Sequence, residues 1–218
     1  MTGIPSLRPF MMEIILIALC VFLTINAQGF LTRDNILNVL RAVSMQGIIA
    51  FGMTMVIIAG EIDLSVGSAV AFSGCLCAWC VESLTGRGLS PGAAVAASVP
   101  VSLIVGGLVG AATGWLRVRF KVPTFISTLA WLTVLKGAAE LITNGFPLTP
   151  FPDWFNFIGG GYVRGVPFPA IVFLAVFVIV HLTLHRTAFG RAIYAVVGIV
   201  VAARLRGIPV GALMVGVR

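Results

Sequence analysis

The sequence predicts an all-α polytopic membrane helix bundle with about six spans and its N-terminus inside, on three observations. Hydrophobic residues make up 59% of the 218 against 10% charged, with a mean hydropathy of +1.11. A soluble chain carries roughly 25% charged residues, so a water-soluble enzyme is excluded. Charge-free runs of 18 to 29 residues recur along the chain, each close to the ~20 apolar residues that cross a bilayer. Lys and Arg also favour one set of loops. Arg8, Arg117, Arg119, Lys121, Arg186, Arg191, Arg204, Arg206 and Arg218 fall on one side, nine against the four of Arg33, Arg41, Arg87 and Arg164 on the other, which sets the N-terminus in the cytoplasm. The net charge of +7 therefore marks cytoplasmic loops, and no nucleic-acid partner is expected.

The spans are expected at about 11–30, 42–60, 64–81, 91–116, 123–143 and 167–185, in a single transmembrane domain covering 1–218. The first follows Arg8 and precedes Ala27, the outline of a secretory signal, but the later spans would insert the chain without cleavage. Ala94, Ser98, Ser102, Gly106, Gly110 and Gly114 form a small-residue stripe on the fourth span, and Gly67, Ala71 and Cys75 repeat it on the third. These two helices are expected to pack on each other. Pro100 predicts a kink unless neighbouring helices straighten the fourth span. The fifth contains Lys136 and Glu140 one helical turn apart, hence on one face. The outer loop 144–167, rich in Pro, Gly and aromatics including Phe146, Trp154 and Tyr162, suits an interfacial hairpin or a lid. After the sixth span, 186–209 reads as an amphipathic cytoplasmic segment, with a further helix starting at Val210.

Gly60-Glu61-Ile62-Asp63-Leu64-Ser65-Val66-Gly67-Ser68 wedges two carboxylates and two hydroxyls between apolar runs. Asp63 or Ser65 can cap the helix that follows, with the anionic side chains at its positive end. A broken helix with polar groups at membrane depth is also how transporters build a substrate site or gate. Lys136 and Glu140 carry the same duality, as a structural ion pair facing the bundle interior or as functional intramembrane charges.

Cys75, Cys77 and Cys80 do not read as a metal site, because Cys75 and Cys77 point to nearly opposite sides of a helix. His181 and His185 share a face without a nearby acid and read as interfacial. There is no Gly-Lys dipeptide, hence no phosphate-binding loop for nucleotide, no His-Glu-x-x-His pair and no Gly-x-Ser-x-Gly elbow. No catalytic residue, metal or cofactor is assigned to the chain.

Two stretches carry a resemblance: Gly52-Met-Thr-Met-Val-Ile-Ile-Ala-Gly-Glu-Ile-Asp-Leu-Ser-Val-Gly-Ser68, and Thr187-Ala-Phe-Gly190-Arg191-Ala-Ile-Tyr194-Ala195-Val-Val-Gly198 leading to Ala202-Ala-Arg204-Leu-Arg-Gly207-Ile208. Together they resemble the permease subunits of ribose-type sugar ABC importers. Val122-Pro-Thr-Phe-Ile-Ser-Thr-Leu at the fifth span, and Lys136-Gly where the family often has Arg-Gly, extend the likeness over nearly the whole chain.

The resemblance implies a permease in the bacterial inner membrane that pairs with a second permease copy, two cytoplasmic ATPase subunits that use the ATP, and a periplasmic sugar-binding protein delivering a monosaccharide. Thr187, Gly190, Arg191, Tyr194, Ala195, Gly198, Ala203, Arg204, Gly207 and Ile208 match the segment that docks into the ATPase. Gly60, Glu61, Asp63, Ser65 and Gly67 match the family's break beside the transport path, and Lys136 and Glu140 join them as path or gate residues. Two departures stand out. Ile199, Val200 and Val201 replace an Asn and an often acidic residue, making the docking surface more apolar. The family continues through further helices whereas this chain stops at Arg218, so a truncated, frameshifted or split permease is expected. The competing expectations are a self-contained secondary transporter or channel coupled through Lys136, Glu140, Glu61 and Asp63, and a non-transporting remnant.

Overall fold

The computed structural model describes residues 10–198 and 210–217. Among them are nine helices, α1 Met11–Asn26, α2 Arg33–Ile58, α3 Val66–Gly86, α4 Pro91–Phe120, α5 Thr124–Thr143, α6 Asp153–Gly160, α7 Phe168–Arg186, α8 Ala188–Gly198 and α9 Val210–Gly216, and one hairpin, β1 Tyr162–Val163 with β2 Val166–Pro167. Five of the helices, α2, α3, α4, α5 and α7, are long and apolar enough to cross a membrane. The chain is a polytopic membrane protein.

The count differs from the sequence expectation at the first span. α1 has 16 residues, about 24 Å at 1.5 Å per residue, short of the ~30 Å hydrocarbon core. It buries no residue. The apolar run continues past it, but Gly29 turns with φ 91° and residues 27–32 form turns. The Thr32 hydroxyl then accepts a hydrogen bond from the Asn35 N–H, with Asp34 in the first turn, so α2 begins at Arg33 and not at 42. The charges that marked a loop in the sequence are the capped first turns of a 26-residue helix.

α4 starts with equal economy: Ser90 caps it through the Ala93 N–H, Pro91 takes a first-turn position, and the helix runs unbroken through Pro100. Its interior hydroxyls turn inward on their own backbone, Ser98 donating to the Ala94 carbonyl and Ser102 to the Ser98 carbonyl.

The helices form two groups. α3 packs on both α4 and α5, while α2 packs on α7. In the second group Phe51 stacks on Phe173 with centroids 5.1 Å apart. The groups meet chiefly at their ends. At the end bearing Arg117, Arg119, Lys121 and Arg186, the basic end, α9 reaches from α8 to α4. At the other, the loop end, Phe151 and Phe155 cover Val81, Ala94 and Val95 of α3 and α4, while α6 and β2 lie against α7. The Arg164–Gly165 turn closes the hairpin, and Arg41 of α2 holds it by hydrogen bonds to the Tyr162 hydroxyl and, at 3.3 Å, the Gly160 carbonyl.

Small-residue packing is redistributed relative to expectation. The α4 stripe faces α3 at Gly106, beside Ser73, and at Ala94, in a cluster with Val81, while its Gly114 packs on α9 at Val215. Gly67, Ala71 and Cys75 instead line the space between α3 and α5. An α3 helix flanked by two partners uses different faces for each.

Candidate functional site: a helix break, a seam and the basic end

α2 ends because Gly60 takes the left-handed conformation, φ 76°. The Gly60 N–H then returns to the Ile57 carbonyl at 2.9 Å and the Glu61 N–H to the Val56 carbonyl at 3.2 Å, the paired bonds of a Schellman cap. Helix resumes at Val66, five residues after Glu61. Asp63 Oδ1 accepts from the Ser65 N–H at 2.8 Å and the Ser65 hydroxyl at 2.7 Å, and the Ser68 hydroxyl donates to the Ser65 carbonyl at 2.7 Å. Among the described residues, Asp63 thus folds the residue just ahead of α3 and does not reach the N–H groups of the helix itself. Ser65, the residue at the cap position, makes no side-chain bond to the helix N–H groups.

Glu61 turns away from this turn and into protein. It is 7% exposed. Arg117 Nε, near the end of α4, approaches Glu61 Oε1 at 3.0 Å. The hydroxyl of Thr124, first residue of α5, donates to Oε2. One carboxylate therefore ties the α2–α3 break to the ends of two other spans. Thr124, Ser127 and Thr128 are themselves buried, the latter two donating to the Thr124 carbonyl.

Beyond the break, the α3–α5 seam is hollow. A cavity of about 430 Å³ is lined by Gly67, Ser68, Ala71, Leu132, Lys136, Ala139 and Glu140. A second, of about 600 Å³, shares Ala139 and Glu140 and extends past Thr143 to Phe146, Pro147, Leu148 and Phe151 at the loop end. Its walls are mostly apolar with a few polar groups, the usual character of a small-molecule path. Lys136 and Glu140 form no ion pair with each other; both are exposed on the cavity wall. The interior pair expected from the sequence is not made; the shared face of the two side chains lines the cavity across from Gly67, Ser68 and Ala71 of α3.

At the basic end Thr187 breaks the path between α7 and α8. Its hydroxyl donates to the Thr183 carbonyl at 2.6 Å and accepts from the Gly190 N–H at 3.1 Å. Gly190 sits where a β-carbon would lie 2.2 Å from the Leu184 carbonyl oxygen. Ile193, fully buried, joins Val56 and Ala59 of α2, Leu184 of α7, and Leu213 and Val217 in one cluster. Arg191 and Tyr194 are exposed on the opposite side, Ala195 is half-buried, and Gly198 closes α8. Ala203, Arg204, Gly207 and Ile208 lie outside the described residues.

Sequence reasoning brought forward Glu61 but not its partners. Arg117 entered only as a topology charge, and Thr124 only as part of a motif. The available signal was an Arg and a Thr flanking the short α4–α5 connection, on the side of the membrane where the break also falls.

The chain matches the family model described as branched-chain amino acid transport system / permease component over residues 35–217. It is 39% identical over 212 residues to the ribose import permease protein RbsC of Haemophilus influenzae, covering 95% of this chain and 62% of that one. Against RbsC of Bacillus subtilis the identity is 40% over 207 residues, 94% and 61% of the two chains. Against the L-arabinose ABC transporter permease protein AraH of Azospirillum brasilense it is 33% over 199 residues, 90% and 56%. The chain thus spans about three fifths of the length of these relatives. No solved structure matches it. The family model covers most of the chain, which therefore belongs to this permease family.

Proposed function

We propose that this chain, as a member of that permease family, is the membrane-spanning subunit of an ATP-driven importer that translocates a monosaccharide. The observation that carries the reading is the connection of a sparsely polar seam to a docking-type surface. The α3–α5 cavity starts at the break, and the break is tied to the α8–α9 end. A seam offering Ser68, Lys136, Glu140 and Thr143 among apolar walls can hydrogen-bond sugar hydroxyls transiently without holding them. Weak contact suits a conduit, since a tight site inside it would slow release. Selection then rests with a periplasmic sugar-binding protein.

Energy comes from outside the chain. With the basic end in the cytoplasm, the exposed Arg191 and Tyr194 stand on the face that two ATPase subunits would grip, while the buried Ile193 cluster carries the movement into α2 and α7. A second permease copy completes the conduit, and the chain itself binds no cofactor. The relatives named for ribose and arabinose import support a pentose or a similar monosaccharide as cargo.

The test is reconstitution with the cognate ATPase and binding protein in vesicles of bacterial lipid. Complex formation, ATP-dependent uptake of labelled ribose or arabinose, and loss of both complex and uptake in Arg191→Glu are expected. Uptake driven by a proton or sodium gradient with this chain alone would overturn the reading, as would normal ATP-driven uptake in Arg191→Glu.

A further inference from the structure

We infer that the carboxylate of Glu61, held by Arg117 and Thr124, is the positioning device that transmits motion of the α8–α9 end to the α3 wall of the cavity. The inference rests on the importer reading for what the motion accomplishes, but the tie itself is a property of the fold.

Two independent lines run from α8–α9 to this one side chain. The first is apolar: Ile193, Leu213 and Val217 pack on Val56 and Ala59, the last residues of α2 before Gly60 and Glu61. The second is polar. α9 lies against α4 so closely that a β-carbon on Gly114 would come within 2.8 Å of Val215 Cα, and one on Gly211 within 3.2 Å of Val118. Arg117 stands between these two α4 contacts in sequence and spans the gap to Glu61 at 3.0 Å. Displacing α9 therefore moves both the residue that precedes Glu61 and the cation that holds it.

Past Glu61, Asp63 holds Ser65, whose carbonyl takes the Ser68 hydroxyl of α3, and Gly67, Ser68 and Ala71 of that helix are the cavity wall facing Lys136 and Glu140. Thr124 holds the opposite wall, because α5 starts there. A carboxylate that is 7% exposed while its arginine is 41% exposed suits such a role. Glu61 is confined by its surroundings, and Arg117 sits at the boundary, where it can be withdrawn with α4. Withdrawing a cation from a buried carboxylate is costly, so the tie resists slippage until α4 itself moves.

The experiment uses the assembled importer in vesicles, with Cys20, Cys75, Cys77 and Cys80 replaced by Ala and a single cysteine at the cavity wall, Ala71→Cys. Wall movement is read as the rate of labelling by a water-soluble thiol reagent, and transport as maximal rate and half-saturation for labelled ribose. With the tie intact, labelling changes between the nucleotide-free and ATP-bound complex. Glu61→Gln and Arg117→Gln are each expected to abolish that change and to lower the maximal rate about tenfold, the scale of an ordinary coupling energy, leaving half-saturation unmoved. The exchange Glu61→Arg with Arg117→Glu restores part of both.

Retention of the nucleotide-dependent labelling change in both single variants overturns the tie. So does an exchange variant no better than the singles when all are inserted at equal levels. If the intact protein labels differently with and without ATP and both single variants lose that difference, yet the intact complex imports no sugar, the importer reading fails while the tie stands.

Discussion

Gly190→Ala introduces one methyl group where the structure has no room for it. The added carbon would lie 2.2 Å from the Leu184 carbonyl oxygen and 2.5 Å from both the carbonyl carbon and Cα of the same residue. Since these are backbone atoms, no rotamer change relieves the clash, and α8 must move about 1 Å from α7 to reach ordinary contact. That gap opens beside Leu184 and Ile193, so the cluster linking α2, α7, α8 and α9 loosens with it. Strain and lost packing of this kind cost about 3 kcal/mol, the upper end for overpacking in a close-packed core.

At 2–4 °C per kcal/mol for a chain of this size, melting followed by circular dichroism in detergent should fall by about 6–12 °C. Gly137→Ala is the matched control. It lies inside α5, a β-carbon there meets nothing within 4 Å, and the change is expected to be neutral or to stabilise by up to ~1 kcal/mol. Equal melting of Gly190→Ala and the unsubstituted chain would refute the close approach of α7 and α8, and with it the geometry of the α8 surface.

Ile193→Ala empties a fully buried site and should cost about 2–5 kcal/mol, read by the same melting curves. Arg41→Ala removes the hydrogen bonds to Tyr162 and Gly160 and the cation over the Tyr162 ring. Limited proteolysis should then cut the Gly160–Pro167 hairpin faster, and Arg41→Lys should not restore protection, because an ammonium lacks the planar guanidinium that lies over the Tyr162 ring. Glu140→Gln keeps the volume of the cavity wall but removes a charge from both cavities. Half-saturation for sugar in reconstituted uptake should change while ATPase docking stays intact, and an unchanged value would remove Glu140 from the path.

Long apolar runs made α3, α4, α5 and α7 legible in the sequence, because a run of some twenty apolar residues has few structures available in lipid. The start of α2 was not legible. Arg33, Asp34 and Arg41 look like loop until Thr32 is seen to cap and Arg41 to hold the hairpin. The break at Gly60 was visible as polar residues between apolar runs, but its acids divide in a way composition does not reveal, Asp63 holding Ser65 just ahead of α3 and Glu61 reaching across. The partners of Glu61 lie 56 and 63 residues away. Such pairings depend on which helix ends share a side, and periodicity within a segment carries no record of that. The Lys136–Glu140 expectation failed for a related reason: spacing places two side chains on one face but does not say what the face looks upon.

The division of the helices into two packs also sets an order for biogenesis. α3, α4 and α5 are consecutive, so each finds its neighbour as soon as it leaves the ribosome. α2 has no such neighbour, since its partner α7 begins at Phe168, more than a hundred residues after α2 ends at Ile58. At synthesis rates of roughly 5–20 residues per second that interval is on the order of ten seconds, during which Phe51 and Gly47 face lipid or a holding factor and not Phe173. Substitutions in the α2–α7 contact should therefore reveal themselves first as lost yield during insertion, before any defect in the mature protein is measured.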